Sequence, residues 1–104
     1  MIPIRKTIKM SKRTSFVIPA SWREEMNLIP GNIVKIRIQN NSILINVCNK
    51  YTTEITSTVG EGGQIYIPTE VRKHFQLKGI EHFKVLIDEV NKYIILKPLE
   101  GNES

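Results

Sequence analysis

An internal repeat constrains the fold of this chain more than any single motif does. Phe16-Val17-Ile18-Pro19 aligns with Ile65-Tyr66-Ile67-Pro68 at an offset of 49 residues. Arg23 then falls on Arg72, Met26 on Phe75 and Leu28 on Leu77. Val34-Lys35-Ile36 falls on Phe83-Lys84-Val85. After a two-residue length change in a turn, Ile43-Leu44-Ile45 matches Ile94-Ile95-Leu96. The chain of 104 residues is therefore two copies of one unit, residues 1–49 and 50–104. A unit of roughly 45 residues buries too little surface to be stable alone. The two copies are expected to complete each other.

Each copy has the same predicted order. A strand (Ser15 to Ile18, Gln64 to Ile67) runs into a proline. Pro19 and Pro68 stop the strand and start a short helix, because a proline in the first helical turn forfeits no intrahelical hydrogen bond. The helices are expected near 20–27 and 69–76. Trp22 with Met26, and Val71 with Phe75, stand at i, i+4 spacing and give each helix one apolar stripe. Pro30-Gly31-Asn32 and Gly79 are turn signals. A hairpin follows in each copy. Val34, Ile36 and Ile38 alternate with Lys35, Arg37 and Gln39, the period of a half-buried strand. Asn40-Asn41 suits its tight turn, and Ser42 to Cys48 returns. The second hairpin pairs Phe83, Val85 and Ile87 with Tyr93 to Lys97 through a turn near Glu89–Asn91. Residues 49–54 read as the link. The expected class is mainly β with short helices.

Charge is spread unevenly. Residues 1–50 hold nine Lys or Arg against two Glu; residues 51–104 hold six against eight carboxylates. Arg5, Lys6, Lys9, Lys12 and Arg13 form a basic N-terminal arm with no acid among them. Such an arm suits a polyanion, since each phosphate it neutralises releases condensed counterions. A solvated terminus would look the same. No run approaches the ~18 apolar residues of a membrane span, and no apolar segment follows the N-terminal charges as in a secretory signal. Cys48 is the single cysteine and is expected to be buried and inert. An intracellular domain is the plain reading.

The second copy carries a resemblance. Gly63-Gln64-Ile65-Tyr66-Ile67-Pro68-Thr69-Glu70-Val71-Arg72 resembles the core segment of SpoVT/AbrB-type DNA-binding domains. Met26-Asn27-Leu28-Ile29-Pro30-Gly31-Asn32-Ile33-Val34 is similar to the family's Pro-Gly turn and the strand after it. The resemblance covers roughly 7–47 and 55–98. It implies a swapped-hairpin β-barrel of the AbrB type, closed within the chain or with a second one. It further implies a cytoplasmic, nucleoid-associated transcription regulator bound to double-stranded DNA. Carried over position by position, the family's arginine after the Ile-Pro pair is Arg23 and Arg72. A following basic residue is Lys73 in the second copy and Glu24 in the first. Upstream basic residues are Lys9, Lys12 and Arg13 in the first copy, while 56–63 has none and contains Glu61. The expected DNA-binding set is Arg5, Lys6, Lys9, Lys12, Arg13, Arg23, Arg72 and Lys73, with most phosphate contacts from the first copy.

Other functions have weaker support. An antitoxin of this family would wrap a toxin with a C-terminal tail, and only about seven residues follow Lys97. A β-barrel interaction module without nucleic acid is a third reading. A homodimer or higher oligomer stays open. An enzyme would need a nucleophile with its base, a carboxylate pair or a metal. Ser15 and Ser21 have no His nearby in sequence. His74 and His82 lack metal-ligand spacing, and no cofactor is expected. Gly60-Glu61-Gly62-Gly63 lacks the Lys-Ser/Thr of a phosphate loop. Phe16, Trp22, Phe75 and Phe83 fit the core pattern, whereas Tyr66 is the aromatic expected to face outward.

Overall fold

A computed structural model describes residues 2–10, 15–48 and 50–99 of the chain. Eight strands and two helices follow one another: β1 (Ile2–Lys9), β2 (Ser15–Val17), α1 (Ala20–Glu25), β3 (Ile33–Gln39), β4 (Ser42–Val47), β5 (Thr56–Thr58), β6 (Gln64–Tyr66), α2 (Thr69–Gln76), β7 (His82–Asp88) and β8 (Tyr93–Pro98). The fold is mainly β, and every strand pair is antiparallel.

Local chemistry sets the elements where the sequence placed them. Pro19 and Pro68 sit at the N-caps of α1 and α2 with extended backbone, ψ 144° and 154°. Asn40 and Asn41 both take positive φ, 51° and 63°, the requirement of the tight hairpin turn between β3 and β4. The β7–β8 turn is built differently. The Asp88 carboxylate accepts hydrogen bonds from the backbone N–H of Val90 and Asn91 and from Asn91 Nδ2.

Six strands form one sheet in the order β1-β7-β8-β4-β3-β5, and β2 pairs with β6 in a separate ribbon. Two of the six pairings are the hairpins β3·β4 and β7·β8. The other four join one repeat to the other. At the sheet centre Ile43, Leu44 and Ile45 of β4 stand opposite Leu96, Ile95 and Ile94 of β8. At the edges each repeat lends its first strand to the other's hairpin. Thr7 stands opposite Lys84, and Thr56 stands opposite Lys35, the same pairing displaced by the repeat offset. The bonds that end these strands match as well: Met10 N–H to Glu81 O, and Val59 N–H to Asn32 O. A pseudo-twofold axis therefore relates the repeats.

Strands β1 and β5 were not expected from the sequence. The basic segment read as an arm is, over Ile2–Lys9, an edge strand. Its register shifts between Ile4 and Thr7, a bulge containing Arg5 and Lys6. Two extra residues preserve the in–out phase, so Ile2, Ile4 and Ile8 all face Ile87, Val85 and Phe83.

The core lies between the sheet and the ribbon. Val34, Ile36, Ile43, Ile45, Phe83, Val85, Ile87, Ile94 and Leu96 enter it from the sheet, Phe16 and Ile65 from the ribbon, and Val71 and Phe75 from α2. Phe75 and Phe83 meet edge to face, with centroids 5.0 Å apart and planes at 90°. Each fully buried aliphatic or aromatic side chain of this kind contributes about 1.5–3 kcal/mol. Trp22 is half-buried and packs against this cluster. Cys48, expected inside, is only half-buried, because the chain leaves the sheet after Val47. No helix among the described residues is long and apolar enough to cross a membrane.

Candidate nucleic-acid interface

Of the sequence-predicted residues, Arg23 and Arg72 bond to the segments at the ribbon's two ends, and Lys73 follows Arg72 on α2. The ribbon's three pairs are Ser15 with Tyr66, Phe16 with Ile65 and Val17 with Gln64. Phe16 and Ile65 face the core, so Ser15, Val17, Gln64 and Tyr66 are exposed on the other side. Each strand runs through its proline into a helix, α1 after β2 and α2 after β6. The outward surface of the ribbon carries hydroxyls, an amide and a small apolar side chain, and no carboxylate.

Arg72 braces one end. It is only 6% exposed. Its Nε donates to the Ile67 carbonyl oxygen at 3.1 Å, and Nη2 donates to Tyr66 Oη at 2.9 Å and Thr69 Oγ1 at 2.7 Å. The guanidinium also lies 5.6 Å from the Tyr66 ring centroid. Arg72 thus locks the strand-to-helix corner and orients an exposed tyrosine. Two of its three nitrogens, Nε and Nη2, are engaged by these neutral acceptors.

Arg23 acts across the repeats. It is half-buried, and its Nη1 donates to the Gly62 carbonyl oxygen at 3.0 Å. Its Nε is buried with no hydrogen-bond partner. The loop it holds is built from Gly60 to Gln64. Gly63 N–H bonds Gly60 O, Gly60 N–H bonds Gln64 O, and Gly62 N–H bonds Gln64 Oε1. Gly63 has φ +82°, and a Cβ there would run into the Arg23 side chain at Nη1. Glycine suits this position for its positive φ, and a Cβ there would displace the end of the Arg23 side chain.

The remaining sequence-predicted residues divide. Lys73 is exposed on α2 beside Arg72, and Lys9 is exposed at the end of β1, opposite His82. Lys12, Arg13 and the side chains of Arg5 and Lys6 lie outside the described residues. Sequence reasoning missed the bracing roles of Gln64 and of the Tyr66–Arg72 pair. The i, i+6 spacing of Tyr66 and Arg72 around Pro68 is the signal that was available. Among the described residues no three His, Cys, Asp or Glu side chains stand together as metal ligands do. The chain matches no protein-family model, no curated protein and no solved structure.

Proposed function

We propose that this chain binds double-stranded DNA in a sequence-dependent way, as a transcription regulator of the AbrB type, and performs no chemistry. The observation that carries the reading is the β2·β6 ribbon. A two-stranded antiparallel ribbon fits the major groove, where polar side chains of its outward face reach base edges. Here Ser15, Gln64 and Tyr66 are those side chains. Arg23 and Arg72 hold the ribbon's two ends in place, and phosphate contact falls to Lys73 and to the basic segment Arg5, Lys6, Lys9, Lys12 and Arg13. Phosphate contacts position such a protein, and base contacts select the site. The exchange of β1 and β5 between the repeats supports reading the fold as a swapped-hairpin AbrB-type barrel closed within one chain.

The test is anisotropy of a fluorescent duplex from the protein's own promoter region against a scrambled duplex, over a range of salt. The expected result is tighter binding to the promoter duplex and a linear fall of log affinity with log salt, with a slope of about −0.9 per phosphate neutralised. Replacing Arg5, Lys6, Lys9, Lys12 and Arg13 together by Gln should flatten that slope. Equal affinity for both duplexes, or no binding at low salt, would remove the proposal.

A further inference from the structure

The outer face of the six-stranded sheet carries a pattern that the ribbon does not use. Strand register sets Pro3, Leu86, Ile95, Leu44 and Arg37 directly opposite one another in turn, across β1, β7, β8, β4 and β3. Their neighbours Val85, Leu96, Ile43 and Ile36 are buried, so this row points away from the core. Leu86, Ile95 and Leu44 are half-buried, and no described layer covers them. Adjacent strands lie 4.7–4.9 Å apart, which makes the row about 19 Å long. A groove of about 340 Å³ runs along it, with Gln39, Ser42 and Lys97 on its rim.

Among the described residues, Lys84, Lys97 and Arg37 make the charge beside the row mainly positive. Lys84 and Lys97 are exposed and stand directly opposite each other, an arrangement that costs stability until an anion lies between them. Arg37 ends the row; its Nη2 donates to Tyr93 Oη at 3.3 Å, and its Nε is buried with no hydrogen-bond partner. Of the described acids near this face, Glu54 is paired with Lys35 at 3.5 Å, and Asp88 is held by neutral amides at the far end of β7, in the β7–β8 turn.

We propose that this face docks an acidic amphipathic helix of a partner protein, its apolar side along Leu86, Ile95 and Leu44 and its carboxylates toward Lys84, Lys97 and Arg37. A helix fits because strand pairing consumes the backbone donors and acceptors of these inner strands, so a docking segment must satisfy its own. At 1.5 Å per residue, the row matches a helix of about 13 residues. A second copy presenting the same face would meet like charge. A duplex would gain nothing from the apolar row. This surface lies away from the ribbon and does not depend on the DNA reading.

The probe is a fluorescent, lactam-stapled helical peptide of ~13 residues with Leu at i, i+3 and i+7 and Glu on both flanks. It is titrated into the whole protein by anisotropy, with amide shifts mapped by NMR. Shifts centred on Leu44, Leu86 and Ile95 are expected. Lys84→Glu with Lys97→Glu, two exposed changes whose fold is checked by circular dichroism, should weaken binding at least ~tenfold. A peptide with Lys in place of Glu should recover affinity for that variant. The proposal is overturned by no binding, by shifts elsewhere, or by affinity unchanged in the variant. It is equally overturned if duplex DNA displaces the peptide and loses affinity in the same variant, which would make the face a nucleic-acid surface.

Discussion

The Arg23 guanidinium of the first repeat donates to the carbonyl oxygen of Gly62 in the second, 39 positions away. That bond passes over Gly63 so closely that only a hydrogen fits beneath it. Gly63→Ala must therefore both strain a positive-φ backbone and dislodge Arg23. We expect a loss of about 2–3 kcal/mol in denaturant unfolding. Gly31→Ala is the internal control. Gly31 has φ +94° with nothing within 4 Å of its would-be Cβ, so its cost is the backbone term alone, about 1 kcal/mol. Equal losses for the two variants would show that Arg23 moves aside freely.

Arg72 and Tyr66 form a second brace, and a double-mutant cycle isolates it. Tyr66→Phe removes one hydroxyl acceptor and should cost about 1 kcal/mol. Arg72→Lys cannot reproduce a fork shared among Ile67 O, Tyr66 Oη and Thr69 Oγ1 and should cost about 2–4 kcal/mol. The coupling energy should fall between about 0.5 and 2 kcal/mol. Strict additivity would mean that the 2.9 Å contact contributes nothing.

Acid should reach the β7–β8 turn through Asp88. The Asn91 side chain, then its backbone N–H, hold this carboxyl below the usual aspartate range, and Val90 N–H adds to them. A carboxyl whose value is lowered by folding stabilises the fold above its unfolded value, and the effect is lost as pH falls through the folded value. An NMR carboxyl titration should place Asp88 lower than an ordinary aspartate. Asn91→Ala should move it back up, and a midpoint unmoved by that change would refute the assignment.

Strand exchange predicts how the chain behaves when cut. Residues 1–49 lack a partner for β1, and residues 50–104 lack one for β5. Each half alone should give the circular dichroism of an unfolded chain. Mixed in equal amounts, they should recover the β spectrum and a dispersed NMR spectrum. A half that folded by itself would refute the interdependence.

Much of this architecture was legible in the sequence. The hairpins announced themselves because Val34, Ile36 and Ile38 alternate with polar residues about an Asn-Asn turn, and the helices and the strands before them because Ile-Pro recurs with an arginine four residues on; that those two strands pair as a ribbon was not read. The edge strands were not legible. Thr56-Ser57-Thr58 has no apolar alternation, and it is a strand because Lys35, Val34 and Ile33 offer it a backbone ladder. In β1 the two-residue bulge at Arg5 and Lys6 interrupts the period and makes a strand look like a charged arm. Of the candidate site, the arginine positions could be read. Their partners could not, because Gly62 reaches Arg23 only after the repeats have exchanged strands.

The pseudo-twofold relation has a consequence for direction. Two identical subunits must carry the same residue at positions related by their twofold axis. Two fused repeats need not, and at one pair of equivalent sites this chain has Arg37 on one side and Leu86 on the other. Whatever lies across the sheet meets a guanidinium at one end and an aliphatic side chain at the other. The scaffold is that of a palindrome, but its surface has a head and a tail.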